Sequence, residues 1–404
     1  MRLAFNGHFW GQPRTGSGQY LRHLWDALLD LPPDAGPPDS MLMLLNQVPP
    51  PDEPVPGGAT GRVVQPLSSE FLHGPLHGRS GNLDKLLWEQ SVVPRLAARE
   101  GVHLLHVPYL GAPFRKTTPT VVTAHDLIPW VVPGYRGGLA MQLYLRLSAA
   151  GARRADLIVT DSDASRRDAI NLLRVPPGRV RTVYLGMEPH PDYTPEQQAE
   201  VRSRLGLPKA YAFYLGGFDS RKRVPLLLRA WRKVVDSLAE ADGEPPVLAI
   251  GGDVPQPGGI FPDVMSAARS LGFDGDAGPV RFLERVSERD KGLLMSAARL
   301  FVYPSIYEGF GLDPLEAMSV GCPVISTSGG SLSEVVGNGG ILVPPDDEVA
   351  LSVAIIRAWG DEALRMELRE RGRARAQSFT WRRTAEQTCR LYAAVMRRAG
   401  GQYE

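Results

Sequence analysis

The 404-residue sequence contains only two cysteines, Cys322 and Cys389, and they lie far apart. A disulfide framework is therefore excluded, and a reducing cytoplasm is the expected setting. No uncharged apolar run reaches the ~18 residues that a membrane-spanning helix needs. The segment Met1–Asn6 is interrupted by polar residues too soon to act as a signal peptide. Any membrane contact is expected to be peripheral.

The sequence also lacks a charge imbalance, since 45 Lys and Arg residues against 44 Asp and Glu residues give a net charge of +1. Bulk charge therefore favours neither nucleic acid nor an anionic membrane as a partner. Two Asp-x-Asp matches, at 161–163 and 274–276, are short enough to arise by chance, and we interpret both as structural. His73 and His77 have a metal-like spacing, but Gly74-Pro75 between them breaks the helix that would align them. No metal site is predicted.

Short apolar runs alternate with helical patterns along the whole sequence, which predicts parallel β-sheets covered by helices. At ~150 residues per domain, the length favours two domains. The polar segment Gly186–Thr194 is the predicted linker, and five prolines with three glycines predict an exposed, mobile loop at 49–61. The predicted strands are Leu3–Asn6, Met41–Leu45, His103–Val107, Val121–Ala124, Leu157–Thr160 and Val180–Tyr184, then Tyr211–Leu215, Val247–Gly251, Val280–Leu283, Leu300–Tyr303, Val324–Ser326 and Ile341–Val343.

The segment that follows Leu300–Tyr303 carries the most specific pattern in the sequence. Pro314–Val320 predicts a short helix, with Asp313 as its N-cap and Gly321 as its C-terminal stop. A glycine-containing turn connects the strand to this helix. Its backbone donors lie where α/β sheets bind anions and nucleotides. The candidate donors are Gly309, Phe310, Gly311 and Leu312.

Two carboxylates, Glu308 and Glu316, flank this turn with seven residues between them. Carboxylates accept hydrogen bonds from vicinal hydroxyls, so a sugar-bearing nucleotide fits the turn better than a nucleic acid backbone. Asp313 and Glu316 also have the spacing of a capping box, so Glu316 could instead reach back to the helix start. The glycines and the second carboxylate favour ligand binding.

A second glycine turn follows the predicted strand Tyr211–Leu215 and contains Gly217, Arg221 and Lys222. When the glycosidic bond to a diphosphate breaks, negative charge grows on the departing phosphate. The planar fork of Arg and the compact charge of Lys both stabilise that charge. The alternative is a pair of solvated residues near a helix start. Cations at that position oppose the helix dipole, which favours phosphate binding.

His125 ends the predicted strand Val121–Ala124, at the sheet edge where α/β domains place their sites. A single histidine at a strand end also occurs as a packed or hydrogen-bonded residue. Asp126 is predicted either to orient His125 or to cap the following turn.

Gly16, Ser17 and Gly18 follow the first strand and precede a helix. The segment lacks the third glycine of the dinucleotide fingerprint, which disfavours a dehydrogenase. Its backbone nevertheless allows a ligand to approach closely without side-chain obstruction.

Together, the segments 308–318, 321–326 and 334–337 resemble the signature of glycosyltransferase family 4, whose members are retaining, nucleotide-sugar-dependent enzymes of the GT-B fold. The family often has proline where this chain has Asp313. The resemblance implies an α/β protein with two Rossmann-like parallel-sheet domains facing each other across a cleft. Residues 1–188 would bind the acceptor and 189–380 the nucleotide sugar. A last helix, about 381–404, would return to the N-terminal domain.

The resemblance also implies a role for each candidate site residue. Glu308 would contact the donor hexose and Glu316 the ribose, while the backbone of 309–312 donates hydrogen bonds. Arg221 and Lys222 would bind the diphosphate. His125 would meet the sugar near its reacting carbon, and the loop 16–18 would approach the donor phosphate or the acceptor.

These roles lead us to expect a retaining, metal-independent hexosyltransferase that needs no cofactor. A nucleoside-diphosphate sugar would be the co-substrate, and a saccharide, a lipid-linked saccharide or a small molecule the acceptor. The 14–20, 125–129 and 216–222 segments look most like mannosyltransferases that build bacterial surface polysaccharides, which favours GDP-mannose over UDP-glucose. The alternatives are a nucleotide-sugar epimerase, a sugar phosphorylase, or a non-catalytic scaffold that binds sugar nucleotides.

Overall fold

The computed structural model describes residues 1–46, 61–64, 81–239, 245–273 and 278–400. The predicted loop at 49–61, apart from Gly61, lies outside these residues. The pair His73 and His77 and the Asp-x-Asp match at 274–276 also lie outside them. The chain divides into two compact units, which we call unit 1 (Met1–Gly186 with Thr380–Glu404) and unit 2 (Met187–Phe379).

Unit 1 contains a seven-stranded sheet in the order β3-β2-β1-β4-β5-β6-β7, and its recorded strand pairs are all parallel. Five of its strands are buried along all of their length or all but the first residue, as expected for a parallel sheet covered by helices. The strands are β1 (Arg2–Asn6), β2 (Ser40–Leu44), β3 (Gly61–Val64), β4 (Leu104–Val107), β5 (Thr120–Ala124), β6 (Leu157–Thr160) and β7 (Val180–Thr182). The helices are α1 (Gly16–Leu29), α2 (Gly81–Leu87), α3 (Val93–Arg99), α4 (Ile128–Val131), α5 (Leu139–Arg154) and α6 (Asp163–Leu173).

Unit 2 contains a six-stranded parallel sheet in the order β10-β9-β8-β11-β12-β13. Its strands are β8 (Tyr211–Leu215), β9 (Val247–Gly251), β10 (Val280–Leu283), β11 (Leu300–Tyr303), β12 (Val324–Thr327) and β13 (Gly340–Val343). Its helices are α7 (Pro195–Arg204), α8 (Val224–Leu238), α9 (Val264–Ser270), α10 (Glu288–Ala297), α11 (Leu312–Ser319), α12 (Leu332–Val336), α13 (Glu348–Gly360) and α14 (Glu362–Ala376).

Both sheets reverse their strand order at one point, between β1 and β4 in unit 1 and between β8 and β11 in unit 2. The chain leaves the two central strands toward opposite sides of the sheet, and this opens a crevice at their carboxyl ends. Ligands of open α/β sheets bind in that crevice. The fold therefore provides one candidate site in each unit.

The last helix, α15 (Trp381–Gly400), belongs to unit 1 and packs against α1. The Tyr392 hydroxyl lies 2.6 Å from Nδ1 of the buried His106 on β4, and the Thr384 hydroxyl donates a hydrogen bond to the carbonyl of Tyr184 at 2.8 Å. These polar contacts fix the position of α15 on unit 1, because a shift of the helix would leave His106 and the Tyr184 carbonyl without these partners.

Candidate functional site

The crevice of unit 2 is lined by the two glycine turns that the sequence singles out. The turn after β8 runs through Gly217 to Arg221 and Lys222, which lie on a 3₁₀ turn just before α8. The turn after β11 carries Glu308 and leads into α11. The fold therefore brings together residues that are 86 positions apart in the sequence.

Glu308 binds both cations of the opposite turn. Its Oε2 lies 2.5 Å from a guanidinium nitrogen of Arg221, and its Oε1 lies 2.8 Å from Nζ of Lys222. All three side chains are buried, with residue exposures of 7–9%. The alternative that Arg221 and Lys222 are solvated is therefore wrong. The prediction that they bind a diphosphate is compatible with the structure and stays a prediction.

The charges of this cluster are fixed by their mutual contacts. Burial alone would raise the pKa of Glu308, but Lys222 and Arg221 outweigh it and hold that pKa below its ordinary value. Glu308 and Asp219 in turn raise the pKa of Arg221 despite its burial. Both oxygens of Glu308 are used by the cations, so in this structure the carboxylate positions them for an anion. Its predicted contact with the donor hexose stays a prediction.

Tyr303 and Asp313 extend the cluster. The Tyr303 hydroxyl accepts from Nζ of Lys222 and lies within hydrogen-bond distance of two carboxylate oxygens, Glu308 Oε1 at 3.2 Å and Asp313 Oδ2 at 3.0 Å. The prediction of Asp313 as N-cap is wrong, because α11 begins at Leu312 and its N-cap is Gly311. Gly311 has φ +107°, a conformation that favours glycine, and the helix begins two residues earlier than the predicted start at Pro314. The predicted stop at Gly321 is confirmed, with φ +76°.

Glu316 forms an ion pair with Lys291 of α10 rather than bonding back to the helix start. The capping-box alternative is therefore wrong. Burial raises the pKa of Glu316 to about 7, although Lys291 counteracts this effect. Sequence reasoning missed Lys291. The signal was present, since a lysine in the opening turns of a helix opposes the dipole just as Arg221 and Lys222 do.

The backbone of the glycine turn is held by Ser331. Its hydroxyl lies within hydrogen-bond distance of the carbonyl oxygens of Phe310 at 2.5 Å and Glu308 at 3.0 Å, and its N–H donates to the Glu308 carbonyl at 3.1 Å. A Cβ on Gly311 would lie 2.8 Å from Leu332 Cδ2. Gly309 through Leu312 are therefore fixed at the N-terminus of α11, where helices attract anions. On the opposite turn, the Tyr214 hydroxyl donates to the carbonyl of Gly217 at 2.5 Å.

In unit 1, His125 follows β5 and both of its ring nitrogens have acceptor partners. Nδ1 lies 2.7 Å from Oδ2 of Asp161, and Nε2 lies 3.0 Å from the carbonyl oxygen of Pro108. Burial alone would lower the pKa of His125, but Asp161 outweighs it and raises that pKa above its ordinary value. Two acceptor partners fit an imidazolium that donates twice. Contact with a sugar stays a prediction, since it requires one of these bonds to open.

The Asp-x-Asp match at 161–163 opens α6, where Ser162 is the cap and accepts from the N–H of Ser165, and Asp163 lies in the first turn. Asp161 orients His125. Of the two roles predicted for Asp126, the cap is confirmed, since its Oδ1 accepts from the N–H of Ile128 at 3.0 Å.

The loop 16–18 opens α1, and Thr15 caps this helix by accepting from the N–H of Gly18 at 3.1 Å. A Cβ on Gly18 would lie 2.1 Å from the carbonyl oxygen of Gln12, so the loop's own packing requires this glycine. Gly16 faces open space, with no heavy atom near its virtual Cβ. Gly16 and Ser17 are the part of this loop that a ligand could approach.

Over the described ranges, no three His, Cys, Asp or Glu side chains are grouped so that they could hold a metal ion. None of the described helices combines the length and apolar character needed to cross a membrane.

Comparison with known proteins extends the resemblance seen in the sequence. The model of a family described as Glycosyltransferase Family 4 matches residues 55–190, and that of Glycosyl transferases group 1 matches residues 209–361. O-antigen chain mannosyltransferase B of Escherichia coli is 33% identical over 294 residues, which cover 72% of this chain and 74% of that protein.

Solved structures show the same fold. Sucrose-phosphate synthase from Thermosynechococcus elongatus has a TM-score of 0.73 at 24% identity, covering 98% of this chain and 99% of that one. Anabaena HepE in complex with UDP and glucose has a TM-score of 0.67 at 19% identity, covering 98% and 100%. The chain has the GT-B fold and, as its closely matching relative shows, belongs to glycosyltransferase family 4.

Proposed function

We propose that the protein transfers a hexose, with mannose favoured, from a nucleoside-diphosphate sugar to an acceptor hydroxyl with retention of the anomeric configuration. The observation that carries this proposal is the buried group of Arg221, Lys222 and Glu308 in the crevice of unit 2. We call these three residues the donor cluster. Glu308 holds the two cations in place before a diphosphate arrives, so little reorganisation is needed on binding.

The chemistry of the donor cluster fits the departure of a diphosphate. As the bond between sugar and phosphate breaks, negative charge grows on the phosphate oxygens, and Arg221 and Lys222 stabilise it. The leaving phosphate would take the proton of the attacking acceptor hydroxyl. Glu316 would accept hydrogen bonds from the ribose, with Lys291 favouring its ionised form. His125 and the Gly16–Gly18 loop of unit 1 would complete the contacts to the sugar and phosphate.

Mannose is favoured by the similarity to an E. coli mannosyltransferase that acts on an O-antigen chain. UDP-glucose is the second candidate donor, because a protein of the same fold binds UDP and glucose. The acceptor would be a saccharide, free or lipid-linked, used in a bacterial polysaccharide. We propose that the reaction needs neither a metal nor a cofactor, and that any membrane contact of this protein is peripheral.

Incubation of the purified protein with GDP-mannose and UDP-glucose, with and without saccharide acceptors, tests this function. We expect release of free nucleotide to increase at least tenfold when a suitable acceptor is present. NMR of the product should show the anomeric configuration of the donor. Turnover that needs no acceptor would favour an epimerase, and turnover that needs inorganic phosphate a phosphorylase. Binding of sugar nucleotide without turnover would favour a scaffold.

A further inference from the structure

The crevice of unit 1, between the carboxyl ends of β1 and β4, contains a group of residues that the donor chemistry does not use. Open α/β sheets bind ligands at this position, and unit 2 places its donor cluster at the corresponding point. We call the residues of unit 1 the β1/β4 cluster. Its members are Phe9, Lys85, Glu89, Tyr109 and Tyr144.

The local backbone around Glu89 departs from a regular helix. Between α2 and α3 the chain passes through a π-helical turn, Trp88–Val92. Such turns occur frequently at functional sites, because the extra residue redirects the side chains around it. Here it accompanies the pairing of Glu89 with Lys85, whose Nζ lies 3.8 Å from Glu89 Oε1.

Lys85 is surrounded by aromatic rings. Its Nζ lies 5.0 Å from the ring centroids of Phe9 and Tyr109 and 4.9 Å from that of Tyr144. These rings stabilise the ammonium through cation–π attraction. The Lys85 side chain is 20% exposed, so the cluster reaches the surface through this charge.

Glu89 lies beneath Lys85 and is 1% exposed. Its Oε1 accepts a hydrogen bond from the Tyr144 hydroxyl at 3.1 Å, whereas its buried Oε2 has no hydrogen-bond partner among the residues that the structure describes. Burial raises the pKa of Glu89 to about 7 and lowers that of Lys85. An unsatisfied buried carboxylate oxygen destabilises a fold, so its presence points to a use in binding.

We propose that the β1/β4 cluster binds the saccharide acceptor through one of its hydroxyls. Glu89 Oε2 accepts a hydrogen bond from the hydroxyl, and Lys85 Nζ donates a hydrogen bond to the oxygen of the same hydroxyl. The flexible lysine stem allows the ammonium to turn from Oε1 toward the acceptor oxygen. Phe9 and Tyr144 are partly exposed and offer apolar ring faces to a pyranose. This inference rests on the proposed function and names the acceptor residues of the same reaction.

Substitutions that preserve side-chain size test the inference in the full-length protein. Glu89→Gln removes the charge but keeps the shape, and Lys85→Met removes the ammonium. The matched controls are Glu386→Gln on α15 and Lys116→Met, whose side chains form partly exposed ion pairs elsewhere in unit 1. The probe is methyl α-D-mannopyranoside, used both as an acceptor with GDP-mannose and alone in a calorimetric titration. GDP affinity reports on the donor side.

We expect both cluster variants to raise the KM for the mannoside at least tenfold and to weaken its binding equally. GDP affinity should stay unchanged, and the controls should behave as wild type. In the wild type, mannoside affinity should fall below about pH 7 as Glu89 takes up a proton, and in Glu89→Gln it should not. The titratable groups that face Glu89 are Lys85, Tyr109 and Tyr144. Glu89→Gln should also unfold at a higher temperature than wild type at pH 8, because it removes a buried charge.

A mannoside KM and affinity equal to those of the controls would overturn the inference, as would a parallel loss of mannoside and GDP affinity. So would a wild-type protein that binds GDP but no mannoside. If the mannoside bound in a Glu89-dependent manner while no sugar nucleotide bound at all, the site would stand and the proposed function would fail.

Discussion

Glu308 shows how one buried carboxylate organises a site. Each of its oxygens bonds a different cation, Arg221 at 2.5 Å and Lys222 at 2.8 Å. Removing one partner of a buried ion pair lowers the free energy of unfolding, because the remaining charges stay buried without compensation. The same contacts that stabilise unit 2 therefore also hold two cations in place at the proposed diphosphate site.

We expect Glu308→Gln to destabilise the protein by ~3–5 kcal/mol at neutral pH, since it leaves two buried cations without their carboxylate. Because the pKa of Glu308 is lowered on folding, its stabilising effect is present above the ordinary value of 4.5. That effect is lost as the pH falls through the lower folded pKa. Thermal unfolding from pH 3 to pH 8 measures both effects. The control is Glu367→Gln, which removes an exposed ion pair with Arg371 on α14. Equal loss of stability in the two variants would contradict the account.

His125 provides a second test at the residue scale, because its raised pKa depends on Asp161. The stability from this pair is fully present below pH 6.5, the ordinary pKa, and is lost as the pH rises through the folded pKa. Asp161→Asn should lower the pKa of His125 and reduce this loss. NMR titration of the His125 ring measures the pKa, with Asp163→Asn as control. A wild-type pKa at or below 6.5 would rule out the double-donor imidazolium.

At the scale of elements, glycine turns connect strands to helices, and their glycines serve different purposes. Gly18 is required by the packing of its own loop against Gln12, whereas Gly16 faces open space. Gly311 combines a positive φ with a close approach to Leu332. A glycine in a candidate binding loop is therefore not by itself a sign of a ligand.

The two glycines of the α1 loop give a matched pair of substitutions. Gly18→Ala should destabilise the protein by ~1–3 kcal/mol, because its Cβ would lie against a backbone carbonyl that cannot move alone. Gly16→Ala should leave stability unchanged. If a ligand approaches this loop, Gly16→Ala should still reduce glycosyl turnover. Chemical unfolding and turnover assays of both variants measure these effects, and equal destabilisation would contradict the structure.

The elements themselves follow closely from local sequence patterns. All twelve strands predicted from apolar runs are present in the structure, because buried parallel strands are continuous apolar segments. The missed strand is β3, in which Gly61 and Arg62 leave an apolar run of only two residues. The return of α15 to unit 1 was expected only from the family resemblance. Its contacts with α1 depend on the tertiary structure, and local sequence patterns do not predict them.

The partners of the site residues were harder to predict than the residues. Glu308 and Lys222 are both marked by unusual local patterns, but nothing in the sequence says that they bond to each other across 86 positions. Glu89 has no distinctive local sequence pattern and gains its character from burial, whereas Lys291 is marked only by its place near a helix start and gains its partner from the fold. Long-range pairing is a consequence of the fold, and local reasoning does not reach it.

At the scale of the whole molecule, two units of similar strand order each place charged residues where that order reverses. Unit 2 carries cations compensated by Glu308, which suits a diphosphate, and unit 1 carries a lysine and a carboxylate among aromatic rings, which suits a hydroxyl. The same architecture thus supplies different chemistry through the residues that follow the central strands. A transferase needs both, because it must bind a donor and an acceptor of unlike charge.

The donor cluster is tested most directly by calorimetric titration of the wild type and Lys222→Met with GDP. We predict a ~10-fold to 100-fold loss of affinity in Lys222→Met, the value of a charge-assisted hydrogen bond to phosphate. The control Lys233→Met, which removes a partly exposed pair with Glu348, should bind GDP as wild type does. Equal affinity of Lys222→Met and wild type would contradict the account, because the buried cation would then have no part in holding the donor.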